Sequence, residues 1–386
     1  MEVDHRTTLE RNSVDVPELS VLHVSQPTIG GVARAVRAIV EDQLDRGWHV
    51  SVACPVDDGL AEATELRHAV RHAWSARREP GVGLPVEVAR LRNIIRLSDP
   101  DLVHLHSSKA GLAGRLALRG ERPTIFHPHG WSFWALPRLL ATAAAVWERR
   151  AASWTDLFIC VSDGEREAGE LRGVRGRWAI VANGVDPDDF PPSDEARRLS
   201  ARRELGLGRG PIALCIGRLQ RAKGQDVLLA AWPRVTERVS GGQLVLVGDG
   251  PDRWRLERRA PAGTVFAGAQ VDVRPWLVAA DVVVAPSRWE AGCPFAVVEA
   301  MACGRSVVAT DVAGMAEAVA GAGAVVPSGH PGALAGAIAT RLANASLAAS
   351  EGRAGRARVL THHRLADKMN QIALSYSTTL RVRGAQ

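Results

Sequence analysis

The chain has 386 residues, enough for two domains with sizeable cores. Its 46% hydrophobic and 23% charged content describes an ordinary soluble protein, and no apolar run approaches the roughly 20 residues of a membrane span. A net charge of +6 permits contact with nucleic acid or an anionic membrane, but dispersed arginines and a single tyrosine, Tyr376, argue against nucleic acid.

Residues 1–18 are polar and charged, unlike a secretory leader, and read as a tail. The five cysteines, Cys54, Cys160, Cys215, Cys293 and Cys303, are scattered and form no C-x-x-C pair. They suggest neither a disulfide framework nor a zinc site, so a reducing cytoplasmic setting is expected. A peripheral contact with the inner face of a membrane stays open. Only three of the 48 basic residues are lysines, Lys109, Lys223 and Lys368. In so arginine-biased a chain, a retained lysine points to a need for a compact ammonium.

From residue 19 onward, short β-branched runs alternate with longer helical patterns, which predicts an α/β fold of parallel sheets. Strands are expected at Val21–Val24, Val50–Cys54, Leu102–His106, Thr124–His127, Leu157–Val161 and Ala179–Val181. Helical patterns cover Val32–Arg46 and Leu136–Ala152. The charged stretch Ser193–Glu204 and the glycine-rich GLGRGP that follows read as a linker, dividing a first domain (19–205) from a second that starts at 206. A second series of strands comes next: Ile212–Ile216, Leu244–Val247, Thr264–Ala267, Asp281–Ala285, Ser306–Thr310 and Ala324–Val326. Helical patterns at Asp226–Val239 and Leu365–Leu380 complete two Rossmann-like halves.

The chemistry-bearing residues fall after strand ends, where open α/β sheets bind ligands. Gly30 and Gly31 follow the first strand and allow backbone N–H groups to approach a phosphate or sugar; a plain tight turn is the alternative. HLHSSKAG contributes His104, His106 and Lys109, and HPHGW contributes His127, His129 and Trp131. Of the four histidines, His129 at a strand end before a glycine is the site candidate, while His104 and His127 read as core. Asp186 and Asp188 form a D-x-D in a proline-containing turn, and turn chemistry is favoured over metal binding.

In the second half, IGRLQRAKG places Arg218 and Lys223 in a strand-to-helix loop, where cations would offset charge growing on a leaving diphosphate. Gly248–Pro251 and Gly268–Gln270 end two further strands. In PSRWEAGCPFAVVEAMACG, Glu290 and Glu299 bracket a loop and a helix start, whose free N–H groups suit phosphate.

As a set, these motifs resemble the retaining GT-B glycosyltransferases of family 4, over nearly the whole chain. The resemblance implies two Rossmann-like domains facing a central cleft: a first, acceptor-side domain, a second domain (206–361) that binds the nucleotide sugar, and a last helix (362–386) that crosses back. It implies that Arg218 and Lys223 hold the donor diphosphate, Glu299 binds the ribose and Glu290 faces the donor sugar. Gly292, Cys293, Pro294, Phe295 and Ala296 would supply backbone contacts, and Gly30 and Gly31 would lie beside the diphosphate. Gly248, Asp249, Gly268 and Ala269 would line the nucleoside pocket, with His129 near the reacting centre. His106, Lys109 and Trp131 fall on the acceptor side. One departure stands out: the family places seven residues between its glutamates, whereas eight separate Glu290 from Glu299, and Ala291 occupies the register position. Either the loop carries an insertion or the sugar contact differs.

The resemblance implies a metal-independent enzyme with no cofactor beyond a nucleotide-diphosphate sugar, expected to be UDP-linked. The acceptor would be a hydroxyl in cell-surface polysaccharide or lipid-linked glycan synthesis. A small-molecule acceptor such as an aminoglycoside is the alternative, and a nucleotide-sugar epimerase is the rival of another class.

Overall fold

The computed structural model describes residues 18–56, 60, 68–77 and 79–385; all but the last residue of the predicted tail lies outside them. Among the described residues, thirteen strands build two sheets, and every pairing within them is parallel. In the first, β1 (Ser20–Ser25), β2 (His49–Cys54), β3 (Val70–Ala73), β4 (Leu102–His106), β5 (Thr124–His127), β6 (Leu157–Cys160) and β7 (Trp178–Ile180) stand in the order 3-2-1-4-5-6-7. In the second, β8 (Ile212–Ile216), β9 (Gln243–Val247), β10 (Val265–Gly268), β11 (Val282–Ala285), β12 (Ser306–Thr310) and β13 (Gly323–Val326) repeat that order as 10-9-8-11-12-13. Each order reverses beside its first strand, and the crevice at such a point receives ligands.

Most strands are rich in Val, Leu and Ile because helices cover both faces of each sheet, while β1, β4 and β5 also bury histidines. β4 and β5 are wholly buried, and Val, Leu and Ile from the strands form clusters above and below each sheet. The last helix, Leu365–Gly384, buries Met369, Ile372, Ala373 and Tyr376 in the first sheet's core, packed near the helix Gly30–Asp45.

The domain boundary differs from the linker read at residue 206. The charged stretch is a helix, Glu195–Glu204, and Arg198 and Arg202 pair with Asp281 of the second domain at 2.9 and 2.6 Å. Val185, Phe190, Leu205 and Leu207 all pack in the second core. A Cβ at Gly210 would run into the Gly241 carbonyl, so the end of GLGRGP is fixed against the second domain, while Gly206 and Gly208 are exposed. The chain passes between domains at Asn183–Val185 and returns at His363–Leu365. The two crossings run side by side: Val185 N–H donates to His363 O and Leu365 N–H donates to Val185 O, both at 2.9 Å.

Candidate active site in the interdomain cleft

The donor-side loops all leave carboxyl ends of the second sheet. After β8, Lys223 Nζ meets Glu290 Oε1 at 2.5 Å, and Ser287 Oγ donates to the same oxygen at 2.6 Å. Arg218 is exposed, and among the described residues its side chain has no hydrogen bond or ion pair. Gly224 (φ +66°) lies so close to the Pro286 carbonyl that no side chain fits, which draws the Lys223 loop onto the Glu290 loop. Gly248 N–H donates to Gly268 O at 2.8 Å, joining the next two loop starts, with exposed Ala269 beyond. The exposed Asp249 carboxyl accepts from Gly250 N–H at 2.7 Å, which holds it below the usual aspartate range. Pro294 precedes the helix Phe295–Ala302, whose start carries no side-chain cap, leaving N–H groups for an anion.

The first domain closes on this surface. Ser162 Oγ donates to Ala291 O at 2.5 Å, and Asn183 Nδ2 donates to Cys293 O at 2.9 Å. A Cβ on Gly292 would sit 2.9 Å from Val161 O, so only glycine permits this approach. Gly31 faces Phe295, and Arg34, one turn further along the same helix, forms an ion pair with buried Glu299. The Arg34 guanidinium also lies 4.6 Å from the Phe295 ring centroid. Glu299, expected on the ribose, is thus occupied by an arginine. Glu290 is turned to Lys223, while Ala291 presents its methyl toward Gly130.

His129 lies two residues beyond the end of β5, in the left-handed region (φ +52°), followed by Gly130 at φ +108°. A buried carboxylate builds this turn. Glu165 Oε1 accepts from Gly130 N–H at 2.5 Å and Oε2 from Val161 N–H at 2.8 Å. Burial pushes Glu165 up to about 7, although both N–H groups favour its charged form. The His129 ring stacks on His127, with centroids 3.6 Å apart, and its Nε2 lies 3.2 Å from His106 Nδ1. Burial lowers the His129 pKa to about 3.

Three expected acceptor-side residues are placed elsewhere. Lys109 is buried and paired with Glu87 at 2.5 Å, because its ammonium needs a partner away from water. Trp131 is core, its Nε1–H donating to Glu165 O at 2.6 Å. His106 is fully buried, with both nitrogens engaged by His23 and His129. Cys293 is buried, so only its backbone is available. Asp186 Oδ1 accepts from Asp188 N–H at 3.0 Å, closing the D-x-D turn.

Arg34, Ser162 and Glu165 are functional candidates that reading the sequence missed. Ser162 and Glu165 had a signal, since S-x-x-E after an apolar strand is a capping box. Ser162 Oγ caps Glu165 N–H at 3.1 Å, but the glutamate reaches across to the His129–Gly130 turn instead of back to Ser162. Arg34 had none in an arginine-rich chain.

Two charged loops from one domain, facing a histidine turn from another across a cleft, are the arrangement expected of a nucleotide-sugar transferase. Residues 29–189 match the Glycosyltransferase Family 4 profile, and residues 210–344 match the group 1 glycosyl transferases. The chain is 31% identical over 352 residues to a GDP-mannose-dependent alpha-(1-6)-phosphatidylinositol monomannoside mannosyltransferase of Mycolicibacterium smegmatis, covering 86% of this chain and 90% of that one. It is 29% identical to a UDP-Gal:alpha-D-GlcNAc-diphosphoundecaprenol alpha-1,3-galactosyltransferase of Escherichia coli, over 77% of this chain and 80% of that one. Among solved structures, Anabaena HepE with UDP-glucose superposes with a TM-score of 0.82 at 22% identity, covering 94% of this chain and 100% of that chain. This chain belongs to glycosyltransferase family 4, with the GT-B fold, and transfers sugar from a nucleotide sugar.

Proposed function

We propose that the chain is a retaining, metal-independent glycosyltransferase that moves mannose from GDP-mannose to a hydroxyl of a lipid-linked glycan. The observation that carries the reading is the approach of the Glu290 loop, which holds Lys223, to the His129–Gly130 turn across one cleft, where the Ala291 methyl faces Gly130. GDP-mannose is favoured over the UDP-linked donor expected from the motifs because relatives at 31–32% identity use it. A UDP-sugar is the second reading, favoured by the galactosyltransferase relative.

In the mechanism the acceptor oxygen attacks the anomeric carbon on the face from which the diphosphate departs. The carbon–phosphate oxygen bond breaks, and the acceptor proton passes to the leaving phosphate. Arg218 and Lys223 offset the charge that develops there. Glu290 releases Lys223 when the diphosphate arrives.

The acceptor class has support beside the cleft. Residues 135–140 (ALPRLL) are exposed, with Leu139 at 87% and Leu140 at 57%, and they open the helix Arg138–Ala151 just beyond the His129–Trp134 turn. Leu139, Ala143, Val146 and Arg150 continue one exposed helical face. Leucines beside Arg138 and Arg150 fit the interface of an anionic bilayer, where a lipid-linked acceptor resides. No described helix is long and apolar enough to cross a membrane.

The test is a panel of GDP- and UDP-sugars, with and without membrane lipid extract. Lipid-dependent release of GDP from GDP-mannose is expected, with the product linkage retained by NMR. Release from UDP-sugars alone selects the second reading. Release with an aminoglycoside but not with lipid overturns the acceptor class.

A further inference from the structure

Five histidines cluster at the His129 turn: His23, His104, His106 and His127 come from three adjacent strands, and His129 from the loop after β5. His23 on β1 pairs in register with His104 on β4, and His106 pairs with His127 on β5. From the side chains we infer that Gln43, His23 and His106 are positioning residues that fix the ring tautomer of His129, so that its Nδ1 presents a lone pair to a substrate hydroxyl.

A neutral imidazole has one N–H and one lone pair, so each hydrogen bond in a chain of them dictates the next. With the Gln43 amide oriented so that its Oε1 faces His23 Nε2 at 2.8 Å and its own Nε2 is left without a partner among the described residues, the His23 nitrogen carries the proton. His23 Nδ1 is then a lone pair, and it receives His106 Nε2–H at 2.9 Å. His106 Nδ1 in turn receives His129 Nε2–H at 3.2 Å. The one nitrogen left is His129 Nδ1, which has no hydrogen-bond partner among the described residues and sits on a half-buried ring. Gln43, His23 and His106 are at most 1% exposed, so water does not compete for these bonds. Burial lowers His23 to about 4 and His106 well below the usual range, keeping both rings neutral near pH 7. His129 therefore accepts a hydrogen bond without removing a proton, which suits orienting a sugar hydroxyl.

The same nitrogens could instead hold an ion, since His23, His104 and His106, and likewise His106, His127 and His129, place ligand atoms within 4.8 Å of one another. An ion would take the lone pairs that the chain uses.

Two-bond 1H–15N correlation spectra of 15N-labelled full-length protein at pH 7.5 read the tautomers directly, with His129 assigned by its loss in His129→Phe. The expected result is Nε2–H for His23, His106 and His129. Nδ1–H at His129, or zinc retained at one equivalent through chelator dialysis, overturns the proposal. In Gln43→Leu the His129 signal should become a mixture of tautomers, with kcat about tenfold lower and the melting temperature unchanged. Gln43→Glu, which keeps an acceptor, should restore both. A Gln43→Leu protein with an unaltered His129 spectrum also overturns the proposal. The kinetic arm rests on the glycosyl-transfer reading; the spectra need no substrate and fail or stand apart from it.

Discussion

Arg34 and Glu299, brought by opposite domains, form an ion pair across the cleft, with Glu299 only 2% exposed. The carboxylate expected to bind ribose therefore has a cationic partner from the facing domain. Removing Arg34 leaves a buried charge without its mate, a state that welcomes ribose hydroxyl donors. Arg34→Ala should tighten binding of the bare nucleoside diphosphate about fivefold, roughly 1 kcal/mol. Calorimetric titration checks this, and weaker binding would assign Arg34 to the phosphates instead.

The two glutamates should separate in the same assay. Glu299→Gln removes a charged acceptor from the ribose and should cost about 1.5–3 kcal/mol of diphosphate affinity. Glu290→Gln should spare that affinity while lowering turnover, because Glu290 contacts Lys223 and Ser287, not Arg34. A larger affinity loss in Glu290→Gln would reverse the two roles.

Alanine at Arg218 or Lys223 should lower turnover by about a hundredfold or more, the scale of losing one charge-stabilising donor. Arg218 is exposed, so its variant should melt like the parent, and the loss should be chemical. Normal single-turnover rates in both variants would remove the diphosphate role.

Acid should destabilise the fold through the histidine cluster. His129 is lowered to about 3 and His23 to about 4, with His104, His106 and His127 also lowered, from an ordinary value of 6.5. The unfolded chain takes protons below about 6.5 that the folded chain refuses, so stability is full above 6.5 and falls as pH drops toward the folded values. Each such group contributes up to about 1.4 kcal/mol per pH unit. Glu165, raised to about 7 from 4.5, works the other way, since stability falls as pH rises across that window. Five groups outweigh one, so the melting temperature should drop between pH 7 and pH 5. A flat or rising profile would show the rings protonated in the native state.

Excess chelator should leave turnover unchanged, as expected of a family whose resemblance implies no metal and of a D-x-D spent on its own turn. Loss of activity in chelator, restored by magnesium or manganese, would return Asp186 and Asp188 to the site.

Most strands were legible because short runs rich in valine, leucine and isoleucine alternate with longer helical patterns. β3, Val70–Ala73, was not, since VRHA is a half-exposed edge strand without an apolar pattern. The donor loops were legible because Arg218, Lys223 and Glu299 lie in short local motifs. Arg34 was not, because its meaning depends on a partner 265 residues away. Lys109 misled for a related reason: its rarity signalled a special environment, which proved to be a buried ion pair rather than a ligand site. The GLGRGP segment misled because glycine content alone does not reveal that Gly210 passes tightly against the Gly241 carbonyl.

The paired crossings at Val185 and Arg364 carry a mechanical consequence. Two tethers zipped together by hydrogen bonds must bend in unison, as a door hung on one pin turns but cannot slide. Any opening and shutting of the cleft would thereby be confined to rotation, and shear between the halves would be resisted. Each closure would return the diphosphate loops to the same position over the histidine turn. Cutting the chain after His362 would leave one thread in place of the pin, and the two halves would meet in many orientations, few of them productive.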